Sequence, residues 1–200
     1  MKKISGFTII ELITVMAIAG ILLAIAVPSM RSFSQKGKIS SFGNEMVSAL
    51  QIARSEAIKR SGIACVCPTA NANDPIPVCS GSNDWESGWI AFFDSTGNCS
   101  FNPGDVIPDV LLKVMDGDGF DNFTLRNNNT SINGADFIRF NARGVPVLAN
   151  GAIQQGMFTV CDERGYVLDA YGDTIPRGIT LSAAGSVRTT KDASKVTACP

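Results

Sequence analysis

The chain carries one carboxylate where carboxylates rarely sit. Phe7–Met30, FTIIELITVMAIAGILLAIAVPSM, holds 24 residues and a single charge, Glu11. An ionised group inside a membrane-spanning segment costs at least about 2.5–3.5 kcal/mol, so it calls for a partner. Cleavage between Gly6 and Phe7 would create one, because the new ammonium at Phe7 lies about one helical turn before Glu11. In a helical stack of copies, Glu11 of one subunit neutralises the Phe7 amine of the next, and each charge supplies the other's counter-ion.

The second chemical set is sulfur. Six cysteines stand at Cys65, Cys67, Cys79, Cys99, Cys161 and Cys199, all after the apolar run. An even number on the exported side of a membrane anchor points to disulfides in an oxidising compartment. Cys65 and Cys67 are two apart, so on a strand they face one side and seek separate partners. Cys161 with Cys199 is the favoured pair, tying the C-terminal tail to a central strand. The other pairings stay open, since six cysteines allow 15 arrangements. A metal reading would need a closed set of four thiolates, and disulfides are preferred.

Other constellations are weaker. Asp94, Thr96, Asn98, Ser100 and Asp105 fall at calcium-loop offsets, but Cys99 stands where the loop needs glycine and Asp105 where it needs glutamate. Asp116, Asp118 and Asp121 have the wrong spacing. Both clusters read as polar turns, and neither a metal nor a cofactor is expected. The chain has no histidine, which removes the commonest general base and the usual His-paired nucleophiles. We expect no enzyme. Net charge is −1, so bulk charge does not point to nucleic acid.

These residues need elements to hold them. The run from Phe7 is long enough to cross a bilayer, and the short basic leader Met1–Gly6 precedes it. From Arg31 to about Arg60 the chain turns amphipathic. Ile39, Phe42, Met46, Ala49, Leu50, Ala53 and Ala57 recur at spacings of three and four, which predicts one helical face. We expect one long helix to about Arg60, bent but not ended by Pro28. After Ser61-Gly62 short β runs alternate with turn residues. Expected strands are 63–67, 89–94, 106–114, 123–126, 137–141, 157–161, 167–171, 178–181 and 186–189. Asp116-Gly117-Asp118-Gly119 reads as a tight turn joining 106–114 to 123–126 in a hairpin. The predicted class is α+β, a long N-terminal hydrophobic and amphipathic helix packed on antiparallel sheet.

Lys-Lys-x-x-Gly6-Phe7-Thr8-x-x-Glu11-Leu12 followed by an apolar helix resembles the class III signal of type IV pilins and type II secretion pseudopilins, and Gly20 and Pro28 fall where that family often has them. The segment ALQIARSEAIKR at 49–60 is similar to the FimT/FimU group of minor pilins and to the minor pseudopilin H. So are Trp85-x-x-Gly88-Trp89-x-x-Phe92-x-Asp94, Phe137-Ile138-Arg139-Phe140-x-x-x-Gly144 and Cys161-Asp162-Glu163-Arg164-Gly165. The resemblance implies that residues 1–6 are a leader removed by prepilin peptidase after Gly6, with methylation of the Phe7 amine. Residues 7–34 would be the transmembrane and filament-core half of the helix. Residues 35–200 would be a periplasmic globular domain that includes the amphipathic half of the helix. It implies a single-pass inner-membrane protein that later joins a pilus, with other minor and major pilins as partners through the helix and Glu11 setting subunit registration. The alternatives are the secretion pseudopilin H and a DNA-binding pilin for natural transformation. Competence-type members of the group carry Gly-Arg-x-Arg near the C-terminus, where this chain has Gly185-Ser186-Val187-Arg188. Candidate DNA contacts are Arg177, Arg188, Lys191 and Lys195, against the plainer reading of a solvated hairpin.

Overall fold

The computed structural model describes residues 8–118, 120, 122–127, 136–169, 171–196 and 199. The chain divides into two compact units, Met1–Lys38 and Ile39–Pro200. Helix α1, Ile9–Lys59, continues through Pro28, whose ring nitrogen has no hydrogen to donate to the preceding turn. Its end is a Schellman cap: Gly62 N donates to Ala57 O at 3.0 Å and Ser61 N to Ile58 O at 3.1 Å. The left-handed residue is Ser61, at φ 51°. Gly62 is glycine for room, because a Cβ there would lie 2.6 Å from the Phe93 ring.

Among the described residues eight strands follow, namely β1 Ile63–Pro68, β2 Gly88–Asp94, β3 Val110–Asp116, β4 Thr124–Asn127, β5 Ile138–Phe140, β6 Gly156–Cys161, β7 Arg177–Leu181 and β8 Val187–Thr190. They form two antiparallel four-stranded sheets, ordered β3-β2-β1-β5 and β4-β6-β7-β8. The amphipathic face of α1 supplies Ile39, Phe42, Met46, Ala49, Leu50, Ala53 and Ala57 to one core. The first sheet adds Ala64, Val66, Trp89 and Ala91 to that core, and the second adds Leu125, Phe158, Val160, Ile179 and Leu181. Strand alternation sends Cys65, Cys67, Ile90 and Phe92 to the opposite face of the first sheet, where loop residues Cys99 and Phe101 cover them. That double burial is why β1 and β2 read as continuous apolar runs.

Three expectations are corrected. Among the described residues of 167–171 no strand forms, and an isolated bridge joins Leu168 to Thr174. The Asp169 carboxylate accepts from Tyr171 N and Asp173 N, which turns the chain. The strand expected at 106–114 starts at Val110. The Asp109 carboxylate is drawn into the preceding loop, accepting from Ser95 N and Asn102 N at 2.8 Å each. The hairpin from β3 to β4 is absent, because the two strands belong to different sheets. Phe120 and Phe123 stack on Phe42, with centroids at 4.6 and 6.0 Å, and carry the chain across the core instead. Gly119 of that turn and Asp121 of the acidic cluster lie outside the described residues.

Candidate functional site at the helix start and its supports

Gly6 and Phe7 lie outside the described residues, so the chemistry at the helix start is read from Thr8 onward. Thr8 and Glu11 form a reciprocal capping box. Glu11 N donates to Thr8 Oγ1 at 3.3 Å, and Thr8 N and Thr8 Oγ1 each donate to Glu11 Oε2 at 3.2 Å. The carboxylate is thereby held at the helix start, where it accepts from a backbone N–H that the first turn leaves without a helical partner. The S/T-x-x-E spacing of Thr8 and Glu11 is the signal of this cap in the sequence. From Ile9 to Phe33 the described large apolar side chains are exposed, Ile9 at 80% and Ile25 at 69% among them. The stretch is long and apolar enough to cross a membrane. Gly20 has open space around it, with nothing within 4 Å of an added Cβ.

The cysteines bond as Cys65–Cys99, Cys67–Cys79 and Cys161–Cys199, with Cα separations of 5.6, 5.5 and 5.8 Å. The first two could not be assigned from spacing, because their partners sit on loops whose paths the sequence does not reveal. The third joins β6 to the tail, where Val196 is also buried. Asp94 lies beside Cys65 and Cys99, close enough that the three could outline a metal site. However, the two sulfurs are bonded to each other and the carboxylate is engaged. Asp94 Oδ1 accepts from Gly97 N at 2.6 Å and Thr96 N at 3.0 Å, and Oδ2 from Cys99 N at 2.6 Å. Asp94 therefore shapes the loop by receiving its amides.

The segments that carried the resemblance prove to be fold supports. Trp85 is buried edge-on to Phe158, centroids 5.3 Å apart, linking the loop before β2 to the second sheet. Trp89 meets Phe42 of α1 at 5.3 Å. Arg54 of α1 donates from Nε to Gly144 O and from a terminal nitrogen to Ala184 O, both at 3.0 Å. That clasp draws two turns together until a Cβ on Gly185 would lie 2.1 Å from Gly144 O. Arg164 forks onto Asp162 at 2.8 and 2.5 Å.

Two of the four candidate DNA contacts, Arg177 and Arg188, do not converge. In the β7–β8 ladder Arg188 pairs with Thr180, while Arg177 lies three residues before Thr180 and so on the opposite face. Arg188 is exposed, and Lys195 approaches Asp192 at 3.8 Å. Arg177 is half-buried, and burial pushes its guanidinium below the ordinary arginine value, against the opposing pull of Asp173.

A family model described as type II transport protein GspH matches residues 43–185. One for the prokaryotic N-terminal methylation motif matches residues 1–27. No curated protein sequence matches this chain. Among solved structures, the type IV minor pilin FimU of Pseudomonas aeruginosa strain PAO1 in space group P21 is similar at 19% identity and TM-score 0.52. That match covers 84% of this chain and 96% of the other. The same protein in space group P65 is similar at 19% identity and TM-score 0.49, over 80% and 96%. The P21 likeness shows a shared fold, a long helix against antiparallel sheets.

Proposed function

The chain belongs to the type II transport protein GspH family, and on that premise we propose that it is a minor pilin that takes part in type IV pilus assembly. The observation that carries this reading is the pairing of an exposed apolar helix with a capped carboxylate one turn from a methylation-type cleavage motif. Prepilin peptidase cuts after Gly6 and methylates the Phe7 amine. The apolar half of α1 anchors the protein in the inner membrane with the globular unit on the periplasmic side, and later packs among the helices of other minor and major pilins. Glu11 then neutralises the Phe7 amine of a neighbour, in a setting where either charge alone is costly. The protein acts as a structural subunit, not as a catalyst. The segments resembling the FimT/FimU minor pilins support the pilus over other filaments.

The test is Glu11→Ala followed by mass spectrometry and filament shearing. Cleavage and methylation are expected to be intact, with the variant missing from sheared filaments. An unprocessed leader on the wild-type chain would sink the reading. A second reading, the minor pseudopilin H of a secretion system, shares the matched family. Deletion of the gene separates the two: loss of surface pili supports the first, loss of protein export the second.

A further inference from the structure

Arg177 opens β7 on the same face as Ile179 and Leu181, which belong to the core under α1. It borders a cleft of about 20 Å³ formed with Ser40, Gly43 and Asn44 of α1 and Thr189 of β8. A guanidinium offers five donors and no acceptor. No described residue accepts a hydrogen bond from this one or closes an ion pair with it, and the opposing charge it feels is that of Asp173. A half-buried cation bordered by two hydroxyls and a carboxamide is complementary to a carboxylate, which a guanidinium binds through two parallel hydrogen bonds. Size narrows the ligand further. The space admits about one water-sized atom, so one oxygen of a planar carboxylate enters it with the other at its mouth, whereas the four oxygens of a phosphodiester do not fit. Arg188, on the far face of the sheet, cannot help to bracket a phosphate there.

We propose that this cleft receives an acidic side chain of an adjoining pilin subunit, with Arg177 as the fork and Ser40, Asn44 and Thr189 as flanking groups. The identity of the partner rests on the filament reading above; the carboxylate site does not.

Full-length protein labelled with ¹⁵N-arginine in detergent micelles is titrated with sodium acetate against sodium chloride at constant ionic strength. One arginine Nε–H resonance shifts saturably with acetate, shifts less with inorganic phosphate, and is missing in Arg177→Met. Asp173→Asn, which removes the competing charge, tightens the acetate response. No saturable shift, or the same shift in Arg177→Met, overturns the site. In cells, Arg177→Met is processed and as heat-stable as the parent, yet its recovery in sheared filaments drops at least about tenfold, as expected when one member of a hydrogen-bonded charge pair is removed. Normal recovery overturns the subunit partner while leaving the filament reading standing. Absence of the wild-type chain from filaments overturns the partner and that reading together, with the acetate shift still judging the cleft.

Discussion

Replacing Gly185 with alanine tests whether the glycine near the C-terminus serves a ligand or the fold. The residue sits at φ 76°, where an L side chain costs about 1–2 kcal/mol. The new Cβ would also lie 2.1 Å from Gly144 O and 2.9 Å from Arg54 Nε. Both neighbours are fixed, the carbonyl as backbone and the guanidinium by its bonds to Gly144 O and Ala184 O. One of the two turns must therefore retreat by about an ångström, and overpacking of this kind costs about 1–3 kcal/mol. The sum is about 2–5 kcal/mol, or a fall in melting temperature of roughly 4–20 °C for a domain of this size. Full-length protein in detergent would be followed by circular dichroism during thermal unfolding and urea titration. Gly20→Ala is the control, since its Cβ meets nothing within 4 Å. A loss below about 1 kcal/mol for Gly185→Ala would refute the argument, because the positive φ alone should exceed that. Arg54→Ala combined with Gly185→Ala should be less damaging than the sum of the two, because the clasp can be broken only once.

Removing Cys161 and Cys199 together as serines should cost about 4 kcal/mol by loop closure, the bridge spanning 38 residues; calorimetry of the double variant measures it, and a loss under about 1 kcal/mol would show that Val196 alone secures the tail. Hydrogen bonds from Arg60 and then Lys59 hold the Glu56 carboxyl below its ordinary value. A folded value below the unfolded one gives a contribution that is complete above the ordinary glutamate range and disappears as pH falls through the lowered folded value. Carboxyl NMR titration should find the Glu56 midpoint depressed and partly restored in Arg60→Gln; an unchanged midpoint counts against the pairing. Gly20→Leu should leave membrane insertion intact and reduce recovery in filaments, because close helix packing needs small residues; equal recovery would show that no helix approaches there.

Much of the helix was legible because its apolar positions change rule along the chain. Up to Met30 they are continuous, and from Ile39 they recur at three and four, so the residues that meet the core could be named one by one. β1 and β2 were legible for the opposite reason, since both faces are covered and nearly every position is apolar. The division into two sheets was not legible. It depends on Phe120 and Phe123 preferring the Phe42 ring to a hairpin return, a long-range choice that local turn residues do not encode. Residues 167–171 misled because Val167, Leu168 and Tyr171 look like strand formers, while Asp169 supplies its own backbone partners. At the site, Glu11 stood out as a charge among apolar neighbours. Arg177 and Arg188 were grouped because they are close in sequence; the register of one ladder separates them.

The placement of Cys65 and Cys67 on one face of β1 has a consequence for oxidative folding. Cys79 lies 12 residues from Cys67 and 14 from Cys65. The closure entropies of the native bridge and its nearest misbridged isomer differ by only about 0.1 kcal/mol. An unstructured chain would thus commit to either isomer with nearly equal frequency. Fidelity must come from the β1–β2 ladder forming before the sulfurs are oxidised, or from a thiol–disulfide isomerase that lets the ladder correct them afterwards.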